Sequence, residues 1–183
     1  GESEVNAVSL ANDGASVQSP GGGSNVEALM AVGMADGRVV CVDQRSGRCV
    51  SQFRAHDEAV VNVILSAQGA LLSADRGGHW RRQTVDGVVL SEGQCERELG
   101  SMLSDGNQLL LGRSDGIVEL WDVLSGKRVL PLTGKHTGPC VCMDLAPGAA
   151  GGGEGALGGG ARGATLLTGG VDGFVRTWRS KSG

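Results

Sequence analysis

Short apolar runs alternate with turn residues along the chain, and they do so in a recurring order. Runs at 27–33, 38–43 and 48–53 are divided by Asp36-Gly37 and Ser46-Gly47, and runs at 108–112, 117–122 and 128–132 by Asp115-Gly116 and Ser125-Gly126. Runs of this length, closed by glycine turns that tolerate positive φ, read as strands joined in hairpins. A further apolar run precedes each set, at Val5 to Ala11, Val60 to Leu65, Leu99 to Leu103 and Cys140 to Leu145. Four strands per unit follow. On the strand at 117–122, Val118 and Leu120 point one way and Ile117 and Trp121 the other, which predicts sheets covered on both faces rather than one.

The order is a true internal repeat. Gly33-Met-Ala-Asp-Gly37 and Gly112-Arg-Ser-Asp-Gly116 lie 79 positions apart, twice about 40, which is a propeller-repeat spacing. A weakened copy falls midway, at Ser73-Ala-Asp-Arg-Gly-Gly78, and a fourth at Thr168-Gly-Gly-Val-Asp-Gly173. The expected units are residues 1–54, 55–94, 95–134 and 135–183. Glycine-rich stretches at 12–25 and 147–164 carry too little apolar mass to offset ordering entropy and are expected to be flexible inserts.

With Trp121-Asp122 at the end of its third strand, the unit from Gly112 to Gly126 resembles a WD40 repeat, and the resemblance covers nearly the whole chain outside the inserts. It implies an all-β, WD40-like β-propeller of four antiparallel four-stranded blades, open and partial, with the outer strand of the last blade missing. It also implies a buried chain of hydrogen bonds in each blade, from a His in the entering loop to a Ser or Thr, an Asp and the Trp. The last blade matches at His136, Thr168, Asp172 and Trp178. The second has His56 and Ser73, with Gly77 at the Asp position and Gln83 at the Trp position. The third keeps Asp115 and Trp121 but has Leu111 and no entering His, and the first has Val32 and Val42. Because the family commonly closes with seven blades, the chain is expected to be the C-terminal part of a larger propeller with blades upstream in the same chain. Its turns also resemble, faintly, the C-terminal propellers of BEACH–WD proteins.

Charge and cysteine usage narrow the functional classes. A net charge of −4 gives no whole-chain attraction to nucleic acid or anionic membrane. Cys41, Cys49, Cys95, Cys140 and Cys142 are odd in number and lack zinc-ligand spacing, so they read as structural thiols. No apolar stretch is long enough to span a bilayer. No Gly-x-Ser-x-Gly elbow or phosphate loop is present, and no acidic pair stands beside His56, His79 or His136, so neither catalysis nor a cofactor is expected.

Binding remains. Arg54, Arg76, Arg113 and Lys135 fall in the entering loops and turns and are expected to form a positive rim that contacts an acidic or phosphorylated peptide. The expected function is a non-enzymatic, intracellular, mainly cytoplasmic scaffold that presents loops to partner proteins. The alternative is a phosphoinositide, membrane or nucleic-acid binder using Arg76, His79, Arg81 and Arg82 with Trp80.

Overall fold

The computed structural model of the chain describes residues 3–10, 17–18, 25–26, 29–66, 69–105, 107–132, 134–146 and 165–179. The expected insert at 147–164 lies outside the described residues, as does 12–25 apart from 17–18 and 25. Strand β1 (Val5–Leu10) is followed by a small hairpin of β2 (Val17–Gln18) and β3 (Asn25–Val26). Then come β4 (Leu29–Met34), β5 (Arg38–Asp43) and β6 (Cys49–Arg54), which complete sheet 1 in the order β1-β4-β5-β6.

Sheet 2 holds β7 (Val60–Leu65), β8 (Leu71–Asp75), β9 (His79–Gln83) and β10 (Val89–Gln94) in sequence order. Sheet 3 repeats this with β11 (Leu99–Asp105), β12 (Gln108–Arg113), β13 (Val118–Asp122) and β14 (Lys127–Pro131). Sheet 4 has β15 (Cys140–Ala146), β16 (Thr165–Gly170) and β17 (Val175–Arg179), three strands among the described residues. Every pairing is antiparallel, and no helix occurs among the described residues.

The repeat extends to irregularities that the amino-acid types alone do not announce. Each first strand has a bulge after its first residue, which leaves Asn6, Val61, Gly100 and Val141 without a partner across the ladder. The fourth strands of sheets 1, 2 and 3 have one as well, at Val50, Leu90 and Val129. A bulge adds local twist and re-aims a side chain, so recurrence at matching places gives the sheets a common shape.

Two compact units result, Gly1–Glu96 and Arg97–Gly183. In the first, Leu29, Ala31, Val39 and Cys41 of sheet 1 pack on Val60, Val63, Leu65 and Leu71 of sheet 2, with Phe53 and Val85 at the margin. Gly33 admits this approach, because a Cβ there would lie 2.5 Å from the Val60 side chain. In the second unit, Leu110 and Val118 of sheet 3 pack on Cys140 and Leu166 of sheet 4, with Trp178 partly buried against them. Trp121 is buried on the opposite face of β13 from Val118.

Candidate functional site

The polar side chains singled out in the sequence for sheets 2 and 4 lie where the loop entering each of these sheets meets the hairpin turn of the preceding sheet of the same unit. The meeting depends on a glycine with positive φ. Gly37 (φ 86°) and Gly116 (φ 83°) close the β4–β5 and β12–β13 turns, and their carbonyls accept the backbone N–H groups of His56 and His136, both at 3.0 Å. A Cβ on Gly116 would lie 2.1 Å from the His136 carbonyl oxygen, so a side chain is excluded there twice over. In this way each entering His is fixed by the preceding sheet and points its ring into the next.

Sheet 4 brings four residues together. His136, with no exposed surface, places Nε2 2.9 Å from Thr168 Oγ1 and Nδ1 2.9 Å from Asp172 Oδ1. The Trp178 indole donates from Nε1 to the same hydroxyl at 2.9 Å. Asp172 also accepts the backbone N–H groups of Thr137 (3.0 Å) and Phe174 (3.2 Å). Burial works to raise its carboxyl, but the Thr137 N–H, the His136 ring and the Phe174 N–H outweigh this and hold it well below the usual carboxylate range.

Sheet 2 builds a related arrangement with one displacement. His56 Nε2 lies 2.8 Å from Ser73 Oγ, and Ser73 in turn lies 3.2 Å from Gln83 Oε1, all three being buried. Gly77, the expected acid position, has no carboxylate to offer. The acid comes instead from Asp75, whose Oδ2 is 3.4 Å from His56 Nδ1 and from His79 Nδ1. Glycine and aspartate have exchanged places: sheet 4 has Gly170 and Asp172 where sheet 2 has Asp75 and Gly77. The glycine at 170 is required, since a Cβ there would lie 2.4 Å from His136 Nδ1. Burial works to raise the Asp75 carboxyl, and the His56 ring and the His79 N–H bring it below its ordinary value.

Sheet 3 has neither the His nor the hydroxyl, and the expectation that Arg113 belongs to an exposed rim is corrected there. The Arg113 side chain is turned inward and buried. Its Nη1 donates to Glu119 Oε1 at 2.5 Å, and Nε and Nη2 donate to Asp115 at 3.1 and 2.6 Å. Glu119 Oε2 accepts the Trp121 indole N–H at 3.0 Å, and Arg128 reaches Oε1 at 3.1 Å. Arg113 thus stands in for the histidine and Glu119 for the hydroxyl. Glu119 was not singled out from the sequence, though an acid in the middle of an apolar strand beside a Trp was a visible signal. Burial works to lower the Arg113 guanidinium, and its two carboxylates push it above its usual value.

Of the other cations, Arg54, Arg76 and Lys135 are exposed, and Arg54 lies 3.7 Å from Asp57. The basic cluster on β9 does not present its aromatic: Trp80 has no exposed surface, and Arg81 pairs with Glu92 at 2.9 Å and with the Ala55 carbonyl. A stacking platform for bases is therefore missing at this place. All five cysteines are free, and burial raises the thiols of Cys41 and Cys140, which leaves them poor nucleophiles. No set of three or more acidic, His or Cys side chains among the described residues is placed to hold a metal.

No family model matches the chain. Solved structures do. The chain is similar to the computationally designed Ika4 protein, with a TM-score of 0.73 and 15% identity over 98% of this chain and 92% of that one. It is similar to the computationally designed Ika8 protein at a TM-score of 0.70 and 17% identity, covering 96% of this chain and 46% of that one. A chain of the mitotic checkpoint complex matches with a TM-score of 0.74 and 20% identity, over 97% of this chain and 48% of its own length. The chain therefore spans about half the length of the latter two. These likenesses show the fold: an all-β, β-propeller-like chain of four antiparallel sheets.

Proposed function

We propose that the chain is a non-enzymatic scaffold of the WD40 type that holds partner proteins through its entering loops and turns. The observation that carries this reading is the repetition of the polar networks. His136, Asp172, Arg113, Glu119, His56 and Asp75 are groups capable of chemistry, yet each is engaged with other members of its own sheet's network. A role that recurs in three of the four sheets belongs to the sheet, because a reaction needs one constellation aimed at one substrate. What is left to meet other molecules is the set of loops on a rigid support, with Arg54, Arg76 and Lys135 exposed on them.

The partner is a protein segment bearing carboxylate or phosphate groups, which a guanidinium recognises with two parallel hydrogen bonds. The free thiols suit a reducing compartment, and the cytoplasm is the proposed location. One of the similar folds occurs in a structure described as a complex, which is compatible with assembly as the use of such a fold. No helix among the described residues is long and apolar enough to cross a membrane.

The test is an array of acidic and phosphorylated peptides probed with the full chain. Binding should fall on the order of ten-fold when Arg54→Glu and Arg76→Glu are combined, since two charge-assisted contacts are lost. Equal binding by both proteins, or preference for anionic vesicles over every peptide, rejects the reading.

A further inference from the structure

The networks of sheets 2 and 4 differ at one member, and the difference governs protons. Trp178 is a donor only, so Thr168 Oγ1 accepts its indole N–H at 2.9 Å and gives its own hydrogen to His136 Nε2 at 2.9 Å. His136 is then neutral, with its hydrogen on Nδ1 facing Asp172 at 2.9 Å. A second proton, on Nε2, would leave the Thr168 hydroxyl hydrogen without an acceptor among the described residues. Sheet 4 therefore has one self-consistent arrangement.

Gln83 replaces the Trp in sheet 2, and its amide offers an acceptor on one side and a donor on the other. With the nitrogen turned toward Ser73, the hydroxyl donates to His56 Nε2 and the ring is neutral. With Oε1 turned toward Ser73 at 3.2 Å, the hydroxyl donates to Gln83, and His56 Nε2 must donate to Ser73 at 2.8 Å. A neutral ring would then turn a bare lone pair on Asp75 Oδ2, 3.4 Å from Nδ1, whereas an imidazolium would turn an N–H on it. Both arrangements satisfy Ser73. They differ by one proton and a half-turn of the amide.

We propose that His56, Ser73 and Gln83 form a proton-operated switch in which uptake of a proton by His56 is coupled to reversal of the Gln83 amide. Asp75 on β8 faces the ring and favours the proton. The other basic groups are His79, which shares that carboxylate at 3.4 Å, and Arg81, whose charge is met by Glu92 at 2.9 Å. From the entering loop, Glu58 lies against Gly77 and Asp57 is exposed beside Arg54. From sheet 1, the Asp36–Arg38 pair closes on itself at 2.7 Å beside Gly37. The carbonyl of Gly37 holds the Ala55 and His56 N–H groups, both at 3.0 Å, so the switch acts on the loop that joins the two sheets of this unit.

Nitrogen NMR on the full chain, labelled at His and Gln, tests this between pH 8 and pH 5. The His56 ring should pass from the neutral Nδ1–H form to the doubly protonated form while the Gln83 carboxamide signals move on the same titration curve. His136 should keep the neutral pattern for as long as the fold persists. A His56 ring that does not titrate, or that titrates while Gln83 stays still, overturns the proposal. Gln83→Trp installs the donor-only member and should abolish the His56 titration. Should its bulk prevent folding, Gln83→Met removes the acceptor at similar length and should lower the His56 midpoint by about one unit, ten-fold in proton affinity. An unchanged midpoint in Gln83→Met also overturns it.

Discussion

A single buried polar atom is costly when its partner is removed, because the remaining group has already given up water. His136→Ala deprives Thr168 and Asp172 of the ring between them and leaves the Trp178 indole on a hydroxyl that has lost its other partner. It should lower stability by about 1 to 3 kcal/mol in denaturant unfolding. Arg113 makes a sharper case, since Glu119 is fully buried beside it, where the indole of Trp121 and Arg128 also reach it. Arg113→Met should cost about 3 to 5 kcal/mol by leaving that carboxylate under-compensated, and adding Glu119→Gln should restore most of the loss. A double variant no more stable than the single one would mean that Arg113 acts through packing and not through charge. The same residues mark where the sequence stopped being legible. The four members of the sheet 4 network could be named from the resemblance to a WD40 repeat, because each has the residue type that resemblance calls for at its position. Asp75 and Arg113 could not be given their roles, because each performs a neighbour's part from a shifted position that only distances reveal, and Glu119 signalled itself only as an acid in the middle of an apolar strand.

At the scale of strands and turns, the hairpin pattern was readable for a physical reason: alternation and glycine turns act locally. The bulges were not, since Asn6, Val61, Gly100 and Val141 have no residue type common to all four and are related only by register. Gly116 joins the two levels. It supplies a left-handed turn and the clearance for the His136 carbonyl, so Gly116→Ala meets both a strained φ and a Cβ placed 2.1 Å from that oxygen. A loss of roughly 2 kcal/mol or more is expected, beyond the strain of about 1 that an αL alanine carries alone. Gly47, with φ 66° and nothing within reach of a Cβ, is the control. Gly47→Ala should show the conformational strain without the collision, and equal losses at the two sites would remove the loop-clearance argument.

For the whole molecule, three aspartates held in hydrogen-bonded networks set the response to acid. Asp75, Asp115 and Asp172 are all held below their ordinary carboxyl values in the folded state. In each case the unfolded chain binds the proton more readily. Their stabilisation is therefore complete above the unfolded value of about 3.9 and is lost as pH falls through the lower folded values. Unfolding midpoints in denaturant should be flat in this respect above about pH 5 and drop below about pH 4, and Asp172→Asn should weaken the drop.

Association follows from which strand lies at each sheet's edge. β6, β10 and β14 are edge strands, and each is interrupted by a bulge that breaks the ladder available to a neighbour. β17 is different: it pairs with β16 over five consecutive residues without a bulge, and no strand lies beyond it among the described residues. Next to that edge, Phe174 is 63% exposed and Val175 74%. A regular edge with apolar residues is a template for another strand, so the chain should self-associate in a concentration-dependent way. Sedimentation velocity across a wide concentration range should show this, and Val175→Lys should shift the distribution toward the single chain by charging the edge. Val50→Lys places the same charge on the bulged edge of β6 and should change little. If the two substitutions act alike, or if the unmodified chain stays single at every concentration, the regular edge of β17 is not what drives association.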